Sequence, residues 1–164
     1  ELARLVRDHG VARQVVLATP KHEQILEWKA LVPESDTLLW IGGKEKDIAA
    51  KYENARKTGF QGITQIQFHV HLNGKAEEVR RDSVDPFSPT DRFIREAVVE
   101  LEKHGIVFQA LPWGGNTREI YWKLLDLGVD AFATDHPLVT VEAVRAWKPE
   151  QNSPVPASQN EGGQ

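Results

Sequence analysis

The feature that most constrains this chain is a recurring unit: a helix that ends in glycine, an apolar strand, a loop, and another helix. Asp8-His9-Gly10-Val11 closes one helix and leads to Gln14-Val15-Val16-Leu17-Ala18. Lys57-Thr58-Gly59-Phe60 closes another before the run Ile63–Leu72. Lys103-His104-Gly105-Ile106 precedes Val107–Leu111, and Leu127-Gly128-Val129 precedes Ala131–Thr134. A glycine just past a helix takes the left-handed conformation without a Cβ penalty. Lys57, Lys103 and His104 suit the negative end of the helix dipole. A further strand, Thr37–Ile41, follows the turn Pro33-Glu34-Ser35-Asp36. Five strands, each followed by a helix, imply α/β architecture with a parallel sheet. Apolar runs as short as Val15-Val16-Leu17 fit strands covered on both faces.

Start signals place the helices. Thr19-Pro20 offers a cap and a first-turn proline before Lys21–Leu31. Ser88-Pro89-Thr90-Asp91 resembles a capping box before Phe93–His104, and Asn116-Thr117-Arg118-Glu119 another before Ile120–Leu127. His136-Pro137 opens a last helix, Leu138–Trp147. No methionine occurs, and Glu1–Arg7 already reads as mid-helix, so Glu1 is expected not to be a native start. From Lys148 the composition turns to Pro, Ser, Asn, Gln and Gly, and 148–164 is expected to be a disordered tail.

Five βα units fit either an open doubly wound sheet or part of a (β/α)8 barrel. In Ile63–Leu72, Gln65, Gln67, His69 and His71 share one face, and Ile66, Phe68, Val70 and Leu72 the other. A barrel strand has an apolar side under its helices and an inner side that turns polar near the ligand end. An edge strand of an open sheet shows the same alternation. Twenty-four acidic against 20 basic side chains, net −4, argue against nucleic-acid binding, which needs a basic face. No apolar run approaches membrane-spanning length. Cysteine is absent, which removes disulfides and thiolate metal sites.

The last third carries a resemblance. Phe108-Gln109-Ala110-Leu111-Pro112-Trp113-Gly114-Gly115-Asn116 is followed by a helix ending Leu127-Gly128-Val129-Asp130, then by Ala131-Phe132-Ala133-Thr134-Asp135-His136-Pro137. This resembles the ending of glycerophosphodiester phosphodiesterases, with Trp-Thr-Val-Asn, Leu-Gly-Val-Asp-Gly and Thr-Asp-x-Pro. Trp113, Asn116, Thr134, Asp135 and Pro137 match; Gly114 and Gly115 replace Thr and Val. The family's fourth strand usually ends in Ser-Phe, where this chain has Ala18-Thr19. The resemblance implies that residues 1–147 are strands four to eight of a TIM-type barrel. It also implies hydrolysis of glycerophosphodiesters to an alcohol and glycerol 3-phosphate, with calcium or magnesium as cofactor. The family's His-Arg-Gly, Glu-x-Asp, His-Asp and Glu-x-Lys motifs lie on strands one to three, and none is found here. Asp8-His9-Gly10 and Lys103-His104-Gly105 are read as helix ends. The metal ligands and catalytic groups are therefore expected outside this chain, which alone is expected to be inactive. A non-catalytic binding or scaffold barrel is the alternative, motivated by the Ala18-Thr19 and Gly114-Gly115 departures.

Candidate substrate-binding residues are Trp113, His69, Gln67 and Asn116. Trp113 ends a strand on the active-site side of a barrel, as a pocket wall or a tryptophan sealing the mouth. His69 and His71, two apart beside Gln67, could ligate a metal, contact a phosphate, or simply line the barrel. Asn116 reads first as a helix cap. Trp40 is expected to pack under a helix, Asp135 to tie the last loop, and Lys21 and Lys44 to be solvated. Lys75–Arg81, of mixed sign, is expected to be a solvated face.

Overall fold

The structure, a computed structural model, describes residues 1–149; the rest of the expected tail lies outside the described residues. Strands β1 (Val16–Thr19), β2 (Asp36–Ile41), β3 (Gln65–Leu72), β5 (Val107–Trp113) and β6 (Ala131–Phe132) form one sheet in the order β1-β2-β3-β5-β6, with every neighbouring pair parallel. A two-residue strand, β4 (Phe87–Ser88), pairs antiparallel with the end of β3 through His71 and Leu72. The helices are α1 (Leu2–Asp8), α2 (His22–Leu31), α3 (Glu45–Lys57), α4 (Asp91–Lys103), α5 (Arg118–Asp126) and α6 (Pro137–Ala146). His9 and His104 cap α1 and α4 at their C-termini, and Gly10 and Gly105 follow at φ +66° and +64°. No described helix is long and apolar enough to cross a membrane.

Register decides which face each side chain takes, because residues paired in a parallel sheet share a face. Leu39, Ile66, Phe108 and their neighbours Ile41, Phe68, Val70 and Ala110 are buried with Ile25 of α2, Ile48, Tyr52 and Ala55 of α3, Ile94, Ala97 and Leu101 of α4, and Ile120 and Leu124 of α5. Ala3 and Val6 of α1 pack with Trp28 and Val32 of α2 at the β1 end, beside Leu17. The opposite face carries Val16, Trp40, His69, His71, Val107 and Trp113, part-buried or exposed. Helices thus cover one face only. A doubly wound sheet carries helices on both faces, whereas a barrel segment has an outer helical layer and an inner face turned to the lumen.

Polar groups fix the lower ends of the strands. The Thr37 backbone N–H donates to Thr64 Oγ1 at 2.9 Å, and the Thr64 N–H donates to Thr37 Oγ1 at 3.1 Å, joining β2 to the entry of β3. The Trp28 indole donates to Ser35 Oγ at 2.8 Å, and that hydroxyl donates to the Val15 carbonyl.

Several boundaries differ from the sequence reading. Gln14 belongs to a single 3₁₀ turn, Ala12–Gln14, before β1. Thr90, two residues after Ser88, caps α4 by accepting from the Phe93 N–H. Thr117 holds the cap position of α5 with no capping bond, and Glu119 instead accepts from the Arg81 N–H at 2.9 Å. α2 begins at His22, although Thr19 Oγ1 accepts from the Lys21 N–H at 3.2 Å. Lys75–Arg81 is not a wholly solvated face. Val79 is buried, and the Arg81 guanidinium forks onto the Asp126 carboxylate. Burial works against ionisation of Asp126, but hydrogen bonds from Arg81 and Trp147 overcome it and hold the carboxyl below its usual range.

Two side chains give opposite stability expectations. Lys123 is buried on α5 and pairs with Asp91 at 2.6 Å. Removing one partner of such a pair leaves an uncompensated charge, so Lys123→Ala should cost about 3 kcal/mol. Tyr52 carries a buried hydroxyl with no hydrogen-bond partner, and burial first, then Glu100, pushes its phenol up to about 12. Deleting an unsatisfied hydroxyl removes a desolvation penalty. Thermal melts should show Tyr52→Phe equal to or above the parent and Lys123→Ala well below it.

Candidate functional site

The C-terminal ends of β2, β3 and β5 bring four rings together on the helix-free face. Pairing of Trp40 with Gln67, His69 with Leu111 and His71 with Trp113 sets the rows. Trp40 stacks on His69 with centroids 5.3 Å apart and planes 1° from parallel. His71 stacks on Trp113 at 6.1 Å, also 1° from parallel, and His69 meets Trp113 edge-on at 5.9 Å. β2 stops pairing with β3 at Ile41–Phe68, and β4 takes over beside His71. Both histidines therefore stand on a strand that overruns its neighbour.

Beneath the rings lies a layer of amides. Gln67 is only 8% exposed, its Nε2 3.4 Å from Gln109 Oε1, and the Gln109 amide in turn donates to Gln65 Oε1. Amides that bond one another can be buried without leaving donors orphaned. They floor the mouth with polar groups while Trp113, 47% exposed, stands at its rim.

Space for His69 depends on Gly42, just past β2. A Cβ at Gly42 would sit 2.6 Å from His69 Nδ1, closer than real Cβ atoms approach, and 3.1 Å from Cγ. At the end of β5, Gly114 has φ +74°, and a Cβ on Gly115 would fall 2.9 Å from Pro112 Cβ. The Gly115 N–H donates to the Pro112 carbonyl at 3.1 Å, and its carbonyl accepts from the Tyr121 hydroxyl at 2.7 Å. The two glycines that replace Thr-Val thus make a tight turn holding Trp113 at the mouth.

The histidines differ in setting. His71 is exposed, while His69 is part-buried, and its imidazole pKa is lowered first by burial, then by His71 and Lys51. Its folded pKa lies below its unfolded value, so the unfolded chain binds more protons. Acidification below the ordinary imidazole range therefore disfavours the fold through this residue, and rising pH restores it.

Of the four expected substrate-binding residues, the structure brings Trp113 and His69 into ring contact and sets Gln67 one layer lower. Asn116 is exposed on the loop after β5 and does not occupy the cap position of α5, which is one residue later. Trp40 stands on the inner face rather than under a helix, because register gives it the parity of Gln67. Its strand, Asp36-Thr37-Leu38-Leu39-Trp40-Ile41, is apolar on both faces, so alternation carried no signal. Asp135 is exposed and makes no side-chain hydrogen bond among the described residues. Thr134 holds the last loop, accepting from the His136 N–H at 2.9 Å and from the Thr140 hydroxyl at 2.9 Å, with the Tyr121 hydroxyl at 2.7 Å. Lys21 and Lys44 are exposed.

The donor set at this mouth does not suit a hard divalent cation, which takes six or more oxygen ligands including carboxylates. Among the described residues no three His, Cys, Asp or Glu side chains converge on a common point.

The sequence matches no protein-family model and no curated protein. The fold is similar to solved structures. A crystal structure assigned as a glycerophosphodiester phosphodiesterase from Galdieria sulphuraria aligns over 88% of this chain and 49% of its own, with TM-score 0.59 and 16% identity. A glycerophosphoryl diester phosphodiesterase from Parabacteroides distasonis aligns over 93% of this chain and 48% of its own, with TM-score 0.57 and 15% identity. The chain spans about half the length of these proteins, and its architecture is that of about half a glycerophosphodiester phosphodiesterase TIM barrel.

The Gly42 contact yields a test. Gly42→Ala should drive the His69 ring off Trp40, removing the ring-current shift of the His69 Cε1 proton in NMR spectra. Gly74→Ala, where a Cβ meets nothing nearer than 3.5 Å, should leave that signal in place.

Proposed function

We propose that residues 1–147 are the C-terminal portion of a metal-dependent glycerophosphodiester phosphodiesterase, a phosphoric diester hydrolase that releases an alcohol and glycerol 3-phosphate. The observation that carries this reading is Trp113 at the C-terminal end of β5, in ring contact with His69 at the corresponding end of β3. It stands on the family's pattern of a strand ending in Trp and followed by Asn. Active sites of TIM barrels lie at that end of the sheet. The fold resemblance to half of two such phosphodiesterases supports the same assignment.

In this reading Trp113 and His69 form one wall of the substrate pocket. Gln67 holds that wall from below through Gln109, and Asn116 contacts substrate from the loop after β5. The remaining βα units supply the metal carboxylates and the general acid. Diester hydrolysis needs the charge on the phosphoryl oxygens neutralised and the leaving alkoxide protonated, and the described residues offer no carboxylate cage for the first task.

The test uses glycerophosphocholine with calcium or magnesium. A longer protein carrying this chain together with the family's His-Arg-Gly, Glu-x-Asp and Glu-x-Lys segments should turn over, and residues 1–164 alone should not. In the longer protein Trp113→Ala should lower kcat/KM about 10-fold or more, the worth of one apolar pocket contact. A longer protein that binds the diester without hydrolysing it would instead favour the scaffold alternative. Turnover by residues 1–164 alone would refute the division of labour.

A further inference from the structure

A groove runs between α3 and α4 on the helix-covered side of the sheet. Each helix turns one stripe toward it, from Ala49 to Arg56 on α3 and from Phe93 to Glu100 on α4, at the i, i+3, i+4, i+7 spacing of a single helix face. Facing helices ordinarily close such a seam with large apolar side chains. Here Ala49 and Ala97 leave it open, and the cavity measures about 360 Å³. α3 packs on β2 and α4 on β5, both inner strands of the sheet. Neither wall of the groove therefore borders the sheet edges β1 and β6, where a longer chain would close the barrel.

Tyr52 stands in this groove, 7% exposed, with its hydroxyl buried and without a hydrogen-bond partner. Its ring meets Phe68 and Phe93 edge-on, with centroids 5.7 and 6.0 Å away. The charges that act on its phenol are Glu100, Arg56 and Glu53, all on the groove walls, which sets the hydroxyl on the groove side of the ring. With its ionisation pushed up to about 12, chiefly by burial, the phenol keeps its proton at neutral pH. Its oxygen lone pairs are then available to an N–H donor. Buried polar groups ordinarily find partners. A hydroxyl that costs the fold and bonds nothing marks a place where a ligand supplies the partner.

Charge selects the sign of that ligand. Three carboxylates, Glu53, Glu96 and Glu100, line the groove against one guanidinium, Arg56. Glu96 and Glu100 pair with Arg92 and Lys103, which stand outside the lining. Arg56 forks onto Glu53 at 2.7 and 3.0 Å, so the groove already seats one guanidinium one helical turn from Tyr52. Exposed pairs of this kind are weak, and an incoming cation can exchange with Arg56. The part-buried Phe93 ring and the two alanines offer the ligand an apolar bed.

We propose that the α3–α4 groove is a binding site for a small organic cation, an ammonium or guanidinium carried on a short apolar chain. Its N–H groups donate to the Tyr52 hydroxyl oxygen and the Glu100 carboxylate, and its chain lies on Ala49, Phe93 and Ala97. The site belongs to the outer, helical layer and does not depend on the phosphodiesterase reading of the opposite face.

The experiment titrates the whole chain, residues 1–164, at neutral pH with butylguanidinium, butylammonium, butyrate or butanol, following the backbone amides of Glu53 and Ala97 by NMR. Both cations should shift these amides, and butyrate and butanol should leave them in place. Tyr52→Phe keeps the ring and removes the acceptor; it should weaken the cations about 10-fold, as loss of a hydrogen bond to a charged group does. The same variant is expected to be at least as stable as the parent, so weakened binding cannot be laid to unfolding. Glu100→Gln should weaken binding several-fold, and Arg56→Ala, which removes the competing guanidinium, should tighten it several-fold. The proposal is overturned if neither cation moves the amides, if butyrate or butanol binds as well as the cations, or if Tyr52→Phe binds as tightly as the parent. A longer protein inactive on diesters would sink the enzymatic reading and leave this result standing.

Discussion

The in-register parallel pairing of β3 with β2 on one side and β5 on the other is the constraint on which the rest of this structure depends. It aligns Trp40 with Gln67 and Trp113 with His71, and it sets Phe68 and Phe108 on the opposite, helix-covered face. Slipping either pair by one residue would turn the glutamines and histidines under the helices and the phenylalanines into the lumen. The cost of burying unpaired amides and imidazoles beside Tyr52 and Ile94 is what forbids the slip. One pairing therefore determines both the core and the mouth.

Above that pairing, the connections tune the site. β2 ends early in Gly42, which vacates the volume His69 occupies. β5 ends in Gly114-Gly115, a turn whose carbonyl is held by Tyr121, and the same hydroxyl reaches Thr134 at the end of the next loop. The excursion between β3 and α4 is fastened by Arg81 to Asp126 and by its own short strand to His71 and Leu72. Strand ends that differ in length, braced by these loop contacts, set the four rings at one end of the sheet.

Half a barrel also explains the uneven chemistry of the chain. Its outer face is covered, with helices buried against the sheet and Lys123 paired with Asp91. Its inner face is not complete. Val16 and Val107 remain 46% and 40% exposed on it, and no carboxylate cluster faces them among the described residues. The solved phosphodiesterases to which this fold is similar are about twice as long as the part that aligns.

The sequence by itself determined the order of helices and strands, the parallel sheet and the two-sided character of β3, because 3.6-residue and two-residue periodicities and helix-end glycines are local signals. Trp113 and His69 were legible as neighbours at one end of the sheet for the same reason. Only the tertiary structure decided that Trp40 belongs with them, since a strand apolar on both faces has no parity until its neighbour supplies one. It also decided that Asn116 and Asp135 stand in solvent while Thr117 and Thr134 take the cap and loop positions, because a helix start or loop anchor is fixed by what packs around it. The buried Val79 and the Arg81–Asp126 fork were hidden for a related reason: their partners lie far along the chain, and a segment of mixed charge looks solvated until those partners are in place.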